Sequence, residues 1–176
     1  WSILDRQQWA VLGPNGSGKS LLMRALCGTW PLASGRIRYH FATDSDHYAR
    51  PTYLRGPQER IAHLAFDTQR SAFTQHSGFY QRRWNAGIGQ ETVSVLQYLS
   101  AHRVYGCNPH EVAGELPDSD AFSALRTRIT DLLQIGNLLE RSLTQLSNGE
   151  MRKVLIARAL LKQPQVVILD NPFTGL

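Results

Sequence analysis

The sequence predicts an α/β fold: a mainly parallel sheet flanked by helices, with a helical subdomain inserted before the last helix and strand. Three observations predict it. A glycine-rich stretch, "GPNGSGKS", joins a strand-like segment to a helix-like one near the start. An apolar run, "VVIL", ends on Asp170 near the close. Between them, residues 91–103 and 120–133 carry apolar residues at helical spacing.

The totals suit one domain with its own core: 176 residues, 42% hydrophobic and 19% charged. A formal net charge of +5 tolerates an anionic ligand. The basic residues are scattered, with adjacent pairs at Arg82-Arg83 and Arg152-Lys153, so no nucleic-acid partner is expected. Cys27 and Cys107 lie far apart without metal-ligand spacing and read as idle thiols in a reducing cytoplasm. No apolar stretch reaches the ~18–20 residues of a membrane span, and no signal peptide opens the chain. The opening, "WSILDRQQWAVLG", reads like the middle of a domain, so the sequence is expected to be a fragment cut at both ends.

Element by element, residues 9–13, "WAVLG", read as a short buried strand, and 19–28 as a helix stopped by Gly28. Residues 35–41, "GRIRYHF", alternate like a half-exposed strand. Residues 42–60 hold Pro51 and Pro57 and read as loop; 60–66, "RIAHLAF", read as a strand. The stretch 70–142 is mostly helical, with a Gly- and Pro-rich loop between its two periodic segments. Residues 147–162 form a strong helix, capped by Ser147 or Asn148, with Val154, Leu155, Ala157, Arg158 and Leu161 at helical spacing and Pro164 beyond its end. Val166 to Leu169 then make a buried strand. The division is a core of residues 1–69 and 143–176 and a helical subdomain over about 70–142.

"GPNGSGKS", Gly13 to Ser20, matches G-x-x-x-x-G-K-[ST] in full. Gly13, Gly16 and Gly18 let the main chain curl and approach a ligand closely. Successive N–H groups then form an anion nest, and the following helix points its positive end at the same place. Lys19 brings a point charge to the terminal phosphates, and Ser20 offers a hydroxyl to Mg²⁺. Its setting, after a strand and opening a helix, is the one the chemistry needs. The companion requirement is an acid at a neighbouring strand end to hold Mg²⁺. Asp170 sits at the C-terminal edge of its strand, where ligands bind in open α/β sheets. The two motifs predict a P-loop NTPase core that binds a nucleotide with Mg²⁺; the family resemblance below makes that nucleotide ATP.

Together with "LSNGE", 146–150, these motifs resemble the nucleotide-binding domain of an ABC ATPase. That family carries a signature close to L-S-G-G-Q about twenty residues before the second acid; Leu146, Ser147, Asn148, Gly149 and Glu150 stand in those places. The resemblance implies a phosphate site of Gly13, Pro14, Asn15, Gly16, Ser17, Gly18, Lys19, Ser20 and Leu21. It implies Mg²⁺ at Ser20 and Asp170, and contact of Ser147, Asn148 and Gly149 with an ATP held by a partner domain, two domains closing head to tail. A glutamine that senses Mg²⁺ and the transport partner is assigned to Gln69, with Gln75 as the alternative. The family's adenine-stacking aromatic would lie before residue 1, and Trp1 and Trp9 are read as packing residues. Its switch histidine would follow Leu176, and the six histidines present are given no role. Within the family the text is most like the soluble tandem proteins of the molybdenum-transport ATP-binding or photorepair type. The expected partners are a second ABC domain and, in a transporter, a membrane permease that would hold the domain at the inner face of the membrane.

Three positions depart from the family pattern. Leu21 replaces a threonine whose hydroxyl serves the α-phosphate, and Asn148 replaces a glycine. Asn171 stands where the family has the glutamate that orients and deprotonates the attacking water. An amide accepts a hydrogen bond but takes no proton at neutral pH, and losing general-base help costs ~10²–10⁴-fold in rate. Slow ATP hydrolysis is therefore expected; the alternative is a non-transport protein using ATP as a clamp with little turnover. A DNA-repair type would need a long coiled coil, for which residues 70–142 have no room.

Overall fold

A computed structural model describes residues 1–41, 60–66, 93–105 and 119–173. Gln69, Gln75, Cys107, Arg82 and Arg83 lie outside the described residues, as does Leu176. The elements, in order, are α1 (Lys19–Leu26), β1 (Ile61–Ala65), α2 (Val95–Tyr98), α3 (Ala101–Tyr105), α4 (Asp120–Leu133), two 3₁₀ turns (Gly136–Leu138 and Leu143–Gln145), α5 (Asn148–Leu161) and β2 (Val166–Asp170).

The two strands pair in parallel, Ile61 opposite Val166 through to Ala65 opposite Asp170. Parallel neighbours need a crossover, and the chain between them supplies helices, as in an α/β core. α5 is the hub. Val154, Ala157 and Leu161, at i, i+3 and i+7, face a cluster built with Val95, Leu99, Phe122 and Ile129. Leu155 and Ala159, at i and i+4, face the opposite way, onto Leu64 and Phe66 of the β1 end. One helix thus joins the helical layer to the sheet. Arg158, read as part of the apolar series, lies over the Tyr98 ring at 4.4 Å and donates from Nη2 to the Arg103 carbonyl at 2.7 Å.

Several expectations need correction. Residues 9–13 form no strand, and they are exposed. A strand exists only through its ladder, and this segment makes local bonds instead, with Gln7 Oε1 accepting from Leu4 N–H and Trp9 Nε1–H, both at 3.0 Å. Trp1 and Trp9 pack edge to face at the surface, centroids 5.5 Å apart. Residues 35–41 are likewise unladdered; their contacts run through Tyr39, whose hydroxyl donates to the Leu26 carbonyl at 2.8 Å, and through the Phe41 carbonyl, which accepts from Arg60 Nη1 at 2.7 Å.

The helix read over 91–103 is two short helices. Ser100 breaks it: its hydroxyl donates to the Gln97 carbonyl at 2.8 Å, competing with helix continuation. Val95 and Leu99, at i and i+4 before the break, are both fully buried in the core. β2, read as buried along its length, is covered on one face only, with Val167 and Leu169 exposed.

Candidate functional site

The loop before α1 takes the shape its glycines permit. Gly16 and Gly18 have φ of 82° and 87°, in the left-handed region that a Cβ disfavours. Gly18 is the residue before α1, so its N–H and those that follow emerge at the positive end of the helix. Pro14 and Ser17 close the turn, Ser17 N–H donating to the Pro14 carbonyl at 3.2 Å. Lys19 folds back over the loop, its Nζ donating to the carbonyls of Gly13 and Pro14 at 2.9 Å each. Those oxygens hold the ammonium against the first two residues of the loop. Asn15 is exposed there, Ser20 is half-buried on the first turn, and Leu21 is 49% exposed.

α1 packs against β2, the strand that ends on Asp170. The carboxylate of Asp170 is largely covered, and its Oδ2 stands 3.8 Å from Nε2 of His63 on β1. Sequence reasoning gave His63 no role; the contact depends on strand register, which no motif reports. After Asp170 the chain turns sharply, and Asn171 has φ of 50°. Asparagine enters the left-handed region more readily than glutamate does, because its short polar side chain bonds locally. The residue type at this position thus agrees with its backbone.

The signature residues begin α5. Ser147 is its N-cap, the first of the two capping residues considered: its Oγ accepts from Glu150 N–H at 3.3 Å. The Glu150 carboxylate in turn accepts from Ser147 N–H at 2.8 Å. This reciprocal box was legible in the S-x-x-E spacing. Glu150 is held below the usual carboxylate range, first by the Ser147 backbone hydrogen bond and then by its hydroxyl, with Arg141 and Lys153 adding a smaller effect. Among the described residues, a Cβ built on Gly149 would meet nothing within 4 Å. Packing among those residues therefore does not require glycine there.

The donor chemistry suits Mg-ATP. A hydroxyl and a carboxylate are hard oxygen ligands for Mg²⁺, and a lysine ammonium pairs with phosphate; the largely covered Asp170 carboxylate stands beside an imidazole nitrogen without a hydrogen-bond partner among the described residues. Among the described residues no three His, Cys, Asp or Glu side chains gather to hold a metal alone. A cation here would need phosphate oxygens, as it does in nucleotide sites. Burial pushes the Cys27 thiol up, in keeping with an unreactive thiol.

A glycine-nested helix start packed on a parallel strand that ends in an acid defines a nucleotide-binding α/β protein of the P-loop class. The ABC transporter family matches residues 1–174, and the chain belongs to it. It is 31% identical over 174 residues to the sulfate/thiosulfate import ATP-binding protein CysA of Escherichia coli K12, covering 99% of this chain and 39% of that protein. The protein of the same name from Salmonella typhi is 32% identical over 177 residues, with the same coverage. The chain thus spans about two fifths of these relatives' length. A chain of an inward-facing ABC transporter of metal-chelate type shares the fold, with a TM-score of 0.57 over 94% of this chain and 50% of that one, at 22% identity. No described helix is long and apolar enough to cross a membrane.

Proposed function

We propose that the chain is the ATP-binding, ATP-hydrolysing domain of an ABC-type transport system. The observation that carries this is the left-handed Gly16–Gly18 turn opening α1, with Lys19 above it and α1 packed on the strand of Asp170. Loop N–H groups and Lys19 bind and orient the phosphates. Ser20 and Asp170 would hold Mg²⁺, which when bound neutralises charge on the phosphate oxygens. Gln69, with Gln75 as alternative, would reach Mg²⁺ and sense both the metal at the catalytic site and the transport partner.

Two such domains close head to tail, Ser147, Asn148 and Gly149 of each facing the other's ATP. The spare room at Gly149 supports this, since a ligand or partner explains a glycine that packing among the described residues does not need. The relatives' names, an import ATP-binding protein and an ABC transporter, support a part in transport; a permease partner and a place at the inner face of the membrane belong to the same proposal. The likeness of "LSNGEMRKVLIARALLKQP" and "ILDNPFTGL" supports the soluble tandem subgroup of molybdenum-transport or photorepair type.

Asn171 binds the attacking water without taking its proton, so hydrolysis is slow and the closed pair is long-lived. The same residue favours the second reading, an ATP clamp with little turnover. Single-turnover ATP hydrolysis by the native protein and by Asn171→Glu separates these ideas from ordinary turnover. The glutamate variant is expected to be faster by about 10²-fold or more. Equal rates would sink the proposal that Asn171 limits hydrolysis.

A further inference from the structure

β1 is apolar apart from one residue: Ile61, Ala62, His63, Leu64, Ala65. In the parallel register His63 lies opposite Ile168, and Ala65 opposite Asp170. Residues two apart share a face, so His63 and Asp170 meet diagonally on the same side of the sheet. Nε2 of His63 comes to 3.8 Å from Oδ2 of Asp170, just beyond hydrogen-bond reach, with the two side chains 19% and 11% exposed. That nitrogen is buried and has no hydrogen-bond partner among the described residues. A buried polar atom left unsatisfied is uncommon and asks for a reason. A leucine would fill the same strand position without one.

We propose that His63 is a positioning residue: its Nε2–H holds Oδ2 of Asp170 and so fixes the orientation of the carboxylate that would hold Mg²⁺. The inference rests on the reading of Asp170 as the Mg²⁺-holding acid. The bond requires the two atoms to approach from the 3.8 Å at which they stand. Both the Nε2–H tautomer and the imidazolium offer the required donor. A carboxylate tethered at one oxygen by the protein is pre-oriented at the other, and outer partners of this kind change metal affinity by about 10–100-fold. His63 touches neither nucleotide nor water in this scheme and acts through Asp170 alone.

The test is a binding titration of the intact protein with a fluorescent, non-hydrolysable ATP analogue, run in EDTA and across a Mg²⁺ series. In His63→Leu, binding in EDTA stays at the native level, while the Mg²⁺ concentration needed for half of the metal effect rises about 10-fold or more. His63→Gln, whose amide donor reaches about as far as Nε2, recovers most of the loss. His63→Asn, one carbon shorter, does not, and the Gln–Asn pair makes the same discrimination if the leucine variant fails to fold. Asp170→Asn is the control for the underlying reading.

If Asp170→Asn shifts the Mg²⁺ dependence but the Leu and Asn variants at 63 do not, His63 only packs, and the inference falls while the site stands. Equal weakening in EDTA and in Mg²⁺ overturns it too, because that marks a general structural change. If Asp170→Asn leaves the Mg²⁺ dependence unchanged, the reading of Asp170 fails, and the role of His63 with it.

Discussion

Arg152 donates from Nη1 to the carbonyl oxygen of Pro172 at 2.7 Å. Its guanidinium also lies over the Phe66 ring, 5.3 Å from the centroid. One side chain of the signature helix therefore grips both the turn that carries Asn171 and the end of β1. Arginine suits this because its planar head stacks and hydrogen-bonds at once, which a lysine ammonium does less well. Arg152→Met is expected to lower unfolding stability by about 1–2 kcal/mol, with Arg152→Lys between it and the native chain. Denaturant titration reads the series. A methionine variant as stable as the native protein would mean the contact contributes nothing net.

Lys19 gives a different split. Its bonds to the Gly13 and Pro14 carbonyls are exposed, so their loss costs little stability, within about 0.5 kcal/mol for such surface changes. Its role toward phosphate is charge-assisted. Lys19→Ala should therefore melt like the native protein yet bind ATP about 10–100-fold more weakly. Calorimetric titration with ATP, paired with thermal melting, checks both halves.

Gly149 should separate folding from assembly. With open space where its Cβ would stand, Gly149→Ala fits the helix and gains up to about 1 kcal/mol by restricting the unfolded chain. The same methyl group would intrude on a partner's ATP. The expected result is a higher melting temperature together with weaker ATP-dependent dimerisation by size-exclusion chromatography. Unchanged dimerisation would remove Gly149 from the interface.

The capping box has a pH signature. Glu150 is held below its usual value of 4.5, chiefly by the Ser147 N–H. The folded-state value is the lower of the two, so the stabilisation is complete above the unfolded-state value and is lost as pH falls through the folded one. Melting of the native chain should thus lose stability below about pH 4.5 more steeply than Glu150→Gln, whose amide keeps the box without titrating. Parallel acid-side curves for the two proteins would contradict this.

Local rules reached far into this chain. The spacing of residues 120–133 matched α4 at both ends, because an N-cap serine and an amphipathic period are written in adjacent residues. The signature helix and the two strands at 60–66 and 166–170 were legible for the same reason, as was the phosphate loop, where function and backbone shape share one short motif. Strand assignments at 9–13 and 35–41 were not realised, since alternation describes a segment's fitness for a sheet and not the presence of a neighbour. The split at Ser100 turned on one hydroxyl preferring a nearby carbonyl.

By itself, then, the sequence determined the glycine turn that opens α1, the strand that ends on Asp170, the capped start of α5 and their order, all properties of residues close together in the chain. Tertiary structure alone decided that His63 stands beside Asp170, that Arg152 reaches Pro172, and that α5 is buried on two faces. Those facts depend on parallel register and on how a helix lies across a sheet. Both are set by packing between separate elements, which no local pattern encodes.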